Sequence, residues 1–99
     1  SLGGANEFEI RNTISFFLNR KINTKYLYCV AKYPTNPENL NLSYFSYLRN
    51  IYGELISGFS SHESPEELLS GSIAYAAGAR IFEKHVGLET KNYKLNKIL

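Results

Sequence analysis

The chain has two histidines, and each follows a stretch with the pattern of a short β-strand. His62 comes after the second such stretch, in GFSSHES, and His85 comes after the third, in ARIFEKHVG. In a parallel sheet the carboxyl ends of consecutive strands lie at one edge, and adjacent strands are about 4.8 Å apart. Two imidazoles at that edge can converge on one point and share a metal ion. The spacing therefore allows His62 and His85 to be metal ligands at the carboxyl edge of a parallel sheet.

The candidate residues also have simpler explanations. A histidine at a strand end is most often a surface residue or a hydrogen-bonded core residue, and Glu83 could be a solvated surface acid. Cys29 lies in an apolar run, which favours a core residue, and nothing in the sequence marks its thiol as activated. Tyr33 could simply pack beside Pro34. The spacing alone therefore leaves the functional and the structural explanations open.

Alternating helices and strands must position the two histidines. The sequence pattern predicts, in chain order, a helix over residues 6–19, a strand over 25–31, a helix over 41–52, a strand over 54–59, a helix over 64–77 and a strand over 79–83. Asn6 is the expected N-cap of the first helix, and Ser64, followed by proline, the expected start of the third. Gly53 and Gly78 are expected to end the second and third helices. This alternation predicts an α/β fold of right-handed, parallel βα units.

Composition limits the classes of function. At 99 residues the chain is long enough for one domain, which we assign to residues 1–99, and 43% hydrophobic residues indicate a globular protein. The net charge of +2 is spread too thinly for a nucleic-acid groove but suits a small anionic substrate. A single cysteine excludes a disulfide within the chain and favours a reducing compartment. Without a membrane-length apolar run or a signal pattern, we expect a cytoplasmic protein with no membrane or nucleic-acid partner.

Several segments of the chain resemble, in the same order, the sialic acid synthases, which make N-acetylneuraminate and related nonulosonic acids. These segments are SLGGA, YCVAKYPTNPENLNL, GFSSHES and AAGARIFEKHVGL. That family folds as a (β/α)₈ TIM barrel. A complete barrel takes roughly 250 residues. The resemblance therefore implies an incomplete barrel, the C-terminal half, with about the last three to four βα units.

The resemblance also implies a reaction and a cofactor. The family condenses phosphoenolpyruvate with N-acetylmannosamine, or a related N-acyl amino sugar, and releases phosphate. His62 and His85 match the two histidines that hold a divalent metal in the family, Mn²⁺ or Mg²⁺, and the metal polarises the sugar aldehyde. The implied enzyme is a transferase that forms a carbon–carbon bond.

Further positions match substrate-contacting residues of that family. Ser1 and Ser60 match serines that contact phosphoenolpyruvate, and Tyr33 matches a tyrosine that lies against the N-acyl group of the sugar. Glu83 matches an acidic residue beside the sugar and is the candidate catalytic residue. Ser61 departs from the pattern, because the family usually has aspartate before the first histidine. Aspartate at such a position often orients a neighbouring metal ligand.

Two other interpretations stay open. One is a degenerate barrel that binds a sugar phosphate or a protein partner without catalysis. Ser61 in place of aspartate points to it, and so does Ala31, which stands where the family often has asparagine or serine that reaches the substrate. The other is a free-standing α/β interaction module whose histidines are incidental. Half of a barrel leaves unpaired strand edges and an apolar face, so we expect self-association into a homo-oligomer such as a dimer. We also expect the 99-residue chain alone to be inactive, because half of the substrate shell is missing.

Overall fold

The computed structural model describes residues 1–30, 40–62 and 69–85. Its elements are α1 (Glu7–Asn19), β1 (Tyr26–Cys29), α2 (Leu42–Tyr52), β2 (Ile56–Ser61), α3 (Leu69–Ala76) and β3 (Ile81–Lys84). The strands form one parallel sheet in the order β1-β2-β3. The predicted α/β alternation and the parallel sheet are therefore confirmed. Two predictions, the role of Tyr33 and the helix start at Ser64, lie outside the described residues.

The first helix begins where its capping residues require. The Oδ1 atom of Asn6 accepts a hydrogen bond from the Glu9 amide at 2.8 Å, and the Glu9 carboxylate accepts one from the Asn6 amide at 3.1 Å. This reciprocal pair satisfies two backbone donors that a helix start would leave open. Ile10 and Ile14 then place a buried stripe against the sheet. The predicted N-cap is confirmed.

The second and third helices end at the predicted glycines. Gly53 has φ +61° and Gly78 has φ +116°, a backbone region that side chains with a Cβ rarely adopt. Beyond α3, the Ala79 amide donates to the Ala74 carbonyl at 2.9 Å and the Gly78 amide donates to the Tyr75 carbonyl at 3.0 Å. These two bonds form a Schellman motif, which satisfies the last carbonyls of the helix.

A continuous core fills the space between the sheet and the helices. Phe45 of α2 and Phe59 of β2 are fully buried. The ring of Tyr28 lies 5.7 Å from that of Phe45 and 6.4 Å from that of Phe59, measured between centroids. Ile10 and Leu48 extend the same cluster into α1 and α2. Full burial of such a side chain contributes about 1.5–3 kcal/mol, so this cluster holds the sheet against its helices.

The boundaries of all three strands differ from the prediction, and β1 spans only Tyr26–Cys29. β2 begins at Ile56 rather than at residue 54, because Gly53–Leu55 forms a 3-10 turn after α2. β3 begins at Ile81 rather than at residue 79, because the Ala79 amide is occupied by the cap of α3. Both strands also continue further into polar sequence, to a Ser61↔Lys84 pair. Ladder hydrogen bonds use the backbone, so polar side chains do not end a strand.

Burial of the third strand also differs from the prediction. The mostly apolar run over residues 80–82 predicts a buried strand, but Ile81 is 40% and Phe82 is 45% exposed. β2, in the middle of the sheet, is buried at every position. β3 is an edge strand and pairs only with β2 among the described strands.

No helix in the described ranges combines the length and the apolar character that crossing a bilayer requires.

The hydroxyl of Tyr28 ties β1 to the start of α2. It donates to the carbonyl of Leu40 at 2.6 Å and to that of Asn41 at 3.1 Å. Burial, with smaller contributions from Tyr44 and Cys29, raises the pKa of Tyr28 from 10.0 to about 12. The folded chain thus keeps a proton that the unfolded chain loses at lower pH. Its stabilising contribution is complete below pH 10 and is lost as the pH rises toward 12.

We expect Tyr28→Phe to remove this alkaline loss of stability. At neutral pH the variant should lose about 1–2 kcal/mol, because two carbonyls lose their donor. Urea unfolding of wild type and variant at neutral pH and at about pH 11 tests both effects. Tyr75→Phe is the control, since Tyr75 is 56% exposed on α3 and should leave the alkaline loss intact. An equal alkaline loss in Tyr28→Phe and wild type would contradict the assignment.

Candidate functional site

Strand register places three polar side chains in one row across the sheet. Cys29 pairs with Ser60, and Ser60 pairs with Glu83. Side chains alternate along a strand, so this row lies on the face opposite Tyr28 and Phe59, which belong to the core. We call the face that carries Cys29, Ser60 and Glu83 the site face.

Two members of this row, Ser60 and Glu83, are joined by a hydrogen bond. The Ser60 hydroxyl donates to Oε1 of Glu83 at 2.6 Å, the short distance typical of a hydroxyl on a carboxylate. Ser60 is buried, whereas Glu83 is exposed. On the other side, Ser60 is the register partner of Cys29, whose thiol is buried. Burial raises the pKa of that thiol; the neighbouring Ser60 lowers it and the charge of Glu83 raises it.

The two histidines follow the row directly at the carboxyl edge. His62 stands two residues after Ser60 and His85 two residues after Glu83, so both return to the site face. Their rings lie 5.2 Å apart between centroids, edge to face at 75°. His62 is half-buried, with its Nδ1 atom buried, and His85 is exposed. The predicted convergence of the two imidazoles is thus present in the structure.

This spacing fits two imidazoles that share a metal ion. With metal–nitrogen bonds of about 2.1 Å and ring centres about 1.1 Å further out, ligands at right or tetrahedral angles have centres about 4.5–5.2 Å apart. Within the described ranges, no third His, Cys, Asp or Glu joins the pair closely enough to form a larger ligand cluster. Two protein ligands with open positions suit a site where substrate or water completes the coordination, not a closed structural site.

The structure brings some of the other predicted site residues to the histidine pair and places others away from it. Ser60 and Glu83 lie together beneath the histidines, as described above. The amide of Leu2 donates to the carbonyl of Leu27 at 2.9 Å, so the chain start runs along the edge of β1 that β2 does not occupy. Ser1 is exposed beyond this contact, on the side of the sheet far from β3. Its predicted substrate contact, like that of Tyr33, stays a prediction.

The Ser61 departure lies on the other face of the sheet. Ser61 is buried at the end of β2 and pairs with Lys84. Because it alternates with Ser60 and His62, its side chain is directed away from the site face. Serine in place of the family's aspartate therefore removes no group from beside the two rings.

Cys29 is the site-face residue that sequence reasoning assigned to the core. It is buried, as a core residue would be, but its neighbours are a hydroxyl and a carboxylate. One signal in the sequence pointed to it. Cys29 stands two residues before Ala31, just as Ser60 stands two residues before His62. Because side chains two residues apart lie on the same face of a strand, this spacing places Cys29 and Ser60 on the same face of the sheet.

The row rests on an apolar layer one step lower on the site face. Gly58 lies two residues before Ser60, between Leu27 and Ile81 in register. A Cβ atom built on Gly58 would lie 2.6 Å from Cγ of Leu27 and 2.9 Å from the Ile81 carbonyl oxygen. The Leu27 side chain therefore covers the glycine, and only a residue without a Cβ fits there.

Comparison with known proteins gives consistent matches. Residues 1–96 match the sequence model of the NeuB family. The spore coat polysaccharide biosynthesis protein SpsE of Bacillus subtilis is 41% identical over 64 residues, which are 64% of this chain and 17% of that protein. The N-acetylneuraminate-9-phosphate synthase of Homo sapiens is 31% identical over 64 residues, and that of Drosophila melanogaster 35% over 63. These two alignments cover 65% and 64% of this chain, and 17% and 16% of the relatives.

A solved structure matches nearly the whole chain. It is described as spore coat polysaccharide biosynthesis protein E from Chromobacterium violaceum, and it superimposes with a TM-score of 0.86 at 38% identity. The superposition covers 97% of this chain and 29% of that one. The chain thus spans under a third of each of these relatives.

Proposed function

Because this chain belongs to the NeuB family, we propose that it is part of a synthase of the sialic acid type. The reaction joins phosphoenolpyruvate to N-acetylmannosamine or a related N-acyl amino sugar and releases phosphate. Two relatives are N-acetylneuraminate-9-phosphate synthases and two are spore coat polysaccharide biosynthesis proteins, which supports this class of substrate. The proposed fold of that synthase is a (β/α)₈ barrel, and we assign the three parallel strands to its C-terminal half. The proposed location is the cytoplasm.

One observation carries the proposal. The imidazoles of His62 and His85 stand 5.2 Å apart at the carboxyl ends of adjacent parallel strands, directly above the Ser60–Glu83 hydrogen bond. In barrels of parallel strands, that edge is where substrates bind. Mn²⁺ or Mg²⁺ bound by the two imidazoles would polarise the sugar aldehyde.

The side chains around the histidines have complementary tasks. Glu83 is exposed, and the Ser60 hydroxyl holds one of its carboxylate oxygens. The other oxygen is available to accept a hydrogen bond from a sugar hydroxyl, which would orient the aldehyde toward the reacting carbon of phosphoenolpyruvate. Carbon 3 of phosphoenolpyruvate forms the new bond to the aldehyde carbon. The aldehyde oxygen takes up a proton, and water adds at carbon 2 and releases one. Phosphate then leaves with cleavage of the bond between carbon 2 and oxygen, so that carbon 2 becomes a ketone.

Assembly is part of the same proposal. Among the described strands, β1 and β3 each have an edge that no other strand covers. Unpaired edges favour association, which supports a homo-oligomer such as a dimer for the 99-residue chain by itself. The 99 residues carry too little of a barrel to enclose two substrates, so the proposed activity belongs to the complete gene product that contains them.

The test is phosphate release by the complete gene product. We expect release that requires phosphoenolpyruvate, an N-acyl amino sugar and Mn²⁺ or Mg²⁺ together. Glu83→Gln should lower kcat about 100-fold or more, because the amide accepts hydrogen bonds more weakly and cannot take a proton. Glu54→Gln, exposed at the opposite end of β2, is the matched control and should keep full activity. No release with any N-acyl amino sugar would overturn the proposal.

A further inference from the structure

A cavity lies at the amino ends of the strands, at the edge of the sheet opposite the two histidines. It has a volume of about 280 Å³, which suits a small ligand, since pockets for drug-sized molecules begin at about 300 Å³. Its wall consists of three cations, one carboxylate, one hydroxyl and one glycine, namely Lys25, Arg49, Arg80, Glu54, Ser57 and Gly78. Because cations outnumber carboxylates, the cavity attracts small anions.

The two arginines of this cavity are held in place by backbone carbonyls. Nη1 of Arg49 donates to the Ile56 carbonyl. Nη1 of Arg80 donates to the carbonyls of Tyr75 at 2.9 Å and Ala79 at 2.8 Å. The other two nitrogens of each guanidinium, Nε and Nη2, keep their N–H groups for a further acceptor. Side chains that are already anchored lose little more freedom when an anion binds.

Neutralising helix ends is a simpler role for these arginines, but it leaves positive charge over. Arg49 stands in the last turn of α2, and Arg80 bonds the Tyr75 carbonyl near the end of α3. Each helix end carries only about half an elementary negative charge. The two ends together offset about one of the three cations, and Glu54 offsets a second. The wall therefore stays positive.

Ser57 adds a hydrogen-bond donor at the same place. It is only 8% exposed, and within the described residues its Oγ has no hydrogen-bond partner. Buried hydroxyls are normally hydrogen-bonded, so a donor without a partner in the wall of a cationic cavity indicates a place for a ligand. The Ser57 backbone is fixed beside Arg80, because its carbonyl accepts the Arg80 amide at 2.8 Å.

We propose that this cavity binds a small tetrahedral oxyanion such as inorganic phosphate, held by the three cations and the Ser57 hydroxyl. The donors come from four segments of the chain, before β1, in α2, in β2 and before β3. A carboxylate offers two oxygens in one plane, whereas phosphate offers four in different directions, and guanidinium groups match it well. Glu54 opposes the anion rather than holding it. The site does not rest on the proposed function.

Calorimetric titration of inorganic phosphate into the complete gene product, without divalent metal or phosphoenolpyruvate, tests the site. Arg80→Gln should weaken binding about tenfold or more, as loss of a charged hydrogen bond does. Arg20→Gln is the matched control and should change nothing. Like Arg80, Arg20 is exposed, donates to a backbone carbonyl from Nη1 and lies over an aromatic ring, in its case that of Phe16.

Two results of this titration would overturn the proposal. Phosphate bound only at the histidine edge would titrate alike in wild type and Arg80→Gln. Phosphate attracted only by overall charge would be weakened equally by Arg20→Gln. We also expect sulfate to compete with phosphate and chloride at the same ionic strength not to compete, because only sulfate shares the tetrahedral shape.

Ser57→Ala tests the hydroxyl without disturbing the arginine bonds. It should weaken phosphate binding about fivefold, because one hydrogen bond to the anion is lost. The free energy of unfolding without phosphate should not fall, since the hydroxyl has no partner within the described residues. Unchanged phosphate affinity in Ser57→Ala would overturn the proposal. A complete gene product that binds phosphate at this cavity but releases none from phosphoenolpyruvate would overturn the proposed function alone.

Discussion

Replacing either His62 or His85 by alanine is expected to weaken Mn²⁺ binding by more than about 100-fold and to abolish phosphate release from phosphoenolpyruvate. The structure brings the two imidazoles together at this edge, with centroids 5.2 Å apart. Loss of an outer partner of a ligand already costs about 10–100-fold in affinity, and loss of the ligand itself costs more.

Titration of the complete gene product with Mn²⁺, followed by electron paramagnetic resonance of the free ion, measures the affinity directly. Lys84→Ala is the matched control. Lys84 precedes His85 in the chain but alternates onto the other face of the sheet, so its loss should leave the affinity unchanged. Unchanged affinity in both histidine variants would contradict the metal site. It would favour the degenerate barrel, which keeps the fold without this chemistry.

Replacing Gly58 by valine is expected to lower the free energy of unfolding by about 3 kcal/mol or more, and replacing it by alanine by about 1–3 kcal/mol. The added Cβ would lie 2.6 Å from Cγ of Leu27 and 2.9 Å from the Ile81 carbonyl oxygen. Leu27 can turn aside, but the carbonyl belongs to the backbone of β3 and moves only with the strand. The shift would reach Glu83 and His85 further along β3, so activity should fall as well.

Urea unfolding of the complete gene product, followed by circular dichroism, measures these losses. Gly71→Ala is the control of opposite sign. Gly71 lies inside α3, and a Cβ built there meets nothing within 4 Å. Alanine is a better helix former than glycine, so this change should raise the free energy of unfolding by about 0.5–1 kcal/mol. Equal stability of Gly58→Ala and wild type would show that the sheet accommodates the side chain.

The helices could be predicted from sequence because their limits are encoded locally. Asn6 with Glu9 starts α1, and Gly53 and Gly78 stop α2 and α3 through positive φ angles. Each signal acts within a few residues of the position it determines, so no knowledge of the rest of the fold is needed.

The strand limits could not be predicted as well, because they depend on partners distant in sequence. β2 and β3 extend to the Ser61↔Lys84 pair since each finds the other's backbone, which a search for apolar runs cannot detect. The register between β1 and β2 also shifts between Tyr26 and Leu27. No residue type marks that irregularity, yet it decides which residue of β2 faces Cys29.

The candidate site was predictable from the sequence only in part. The pairing of His62 and His85 follows from their equal position after consecutive strands, and it is present in the structure. Ser60 and Glu83 came from the family resemblance, and their mutual hydrogen bond came only from the structure. Cys29 is buried, as its apolar run predicts, but its place in the row beside Ser60 could not be predicted from that run. Its partners become visible only when three strands are set in register.

A single β-α-β unit, residues 56–85, carries both histidines together with Ser60 and Glu83. Its internal register sets their relative positions, through pairs such as Ser60↔Glu83. This part of the site can therefore be inherited as one segment. Recombination between the genes of two relatives, at the turn before β2 and again after β3, would transfer the whole segment. A descendant could then acquire a new sugar preference from the rest of the chain while the histidine pair passes on unaltered.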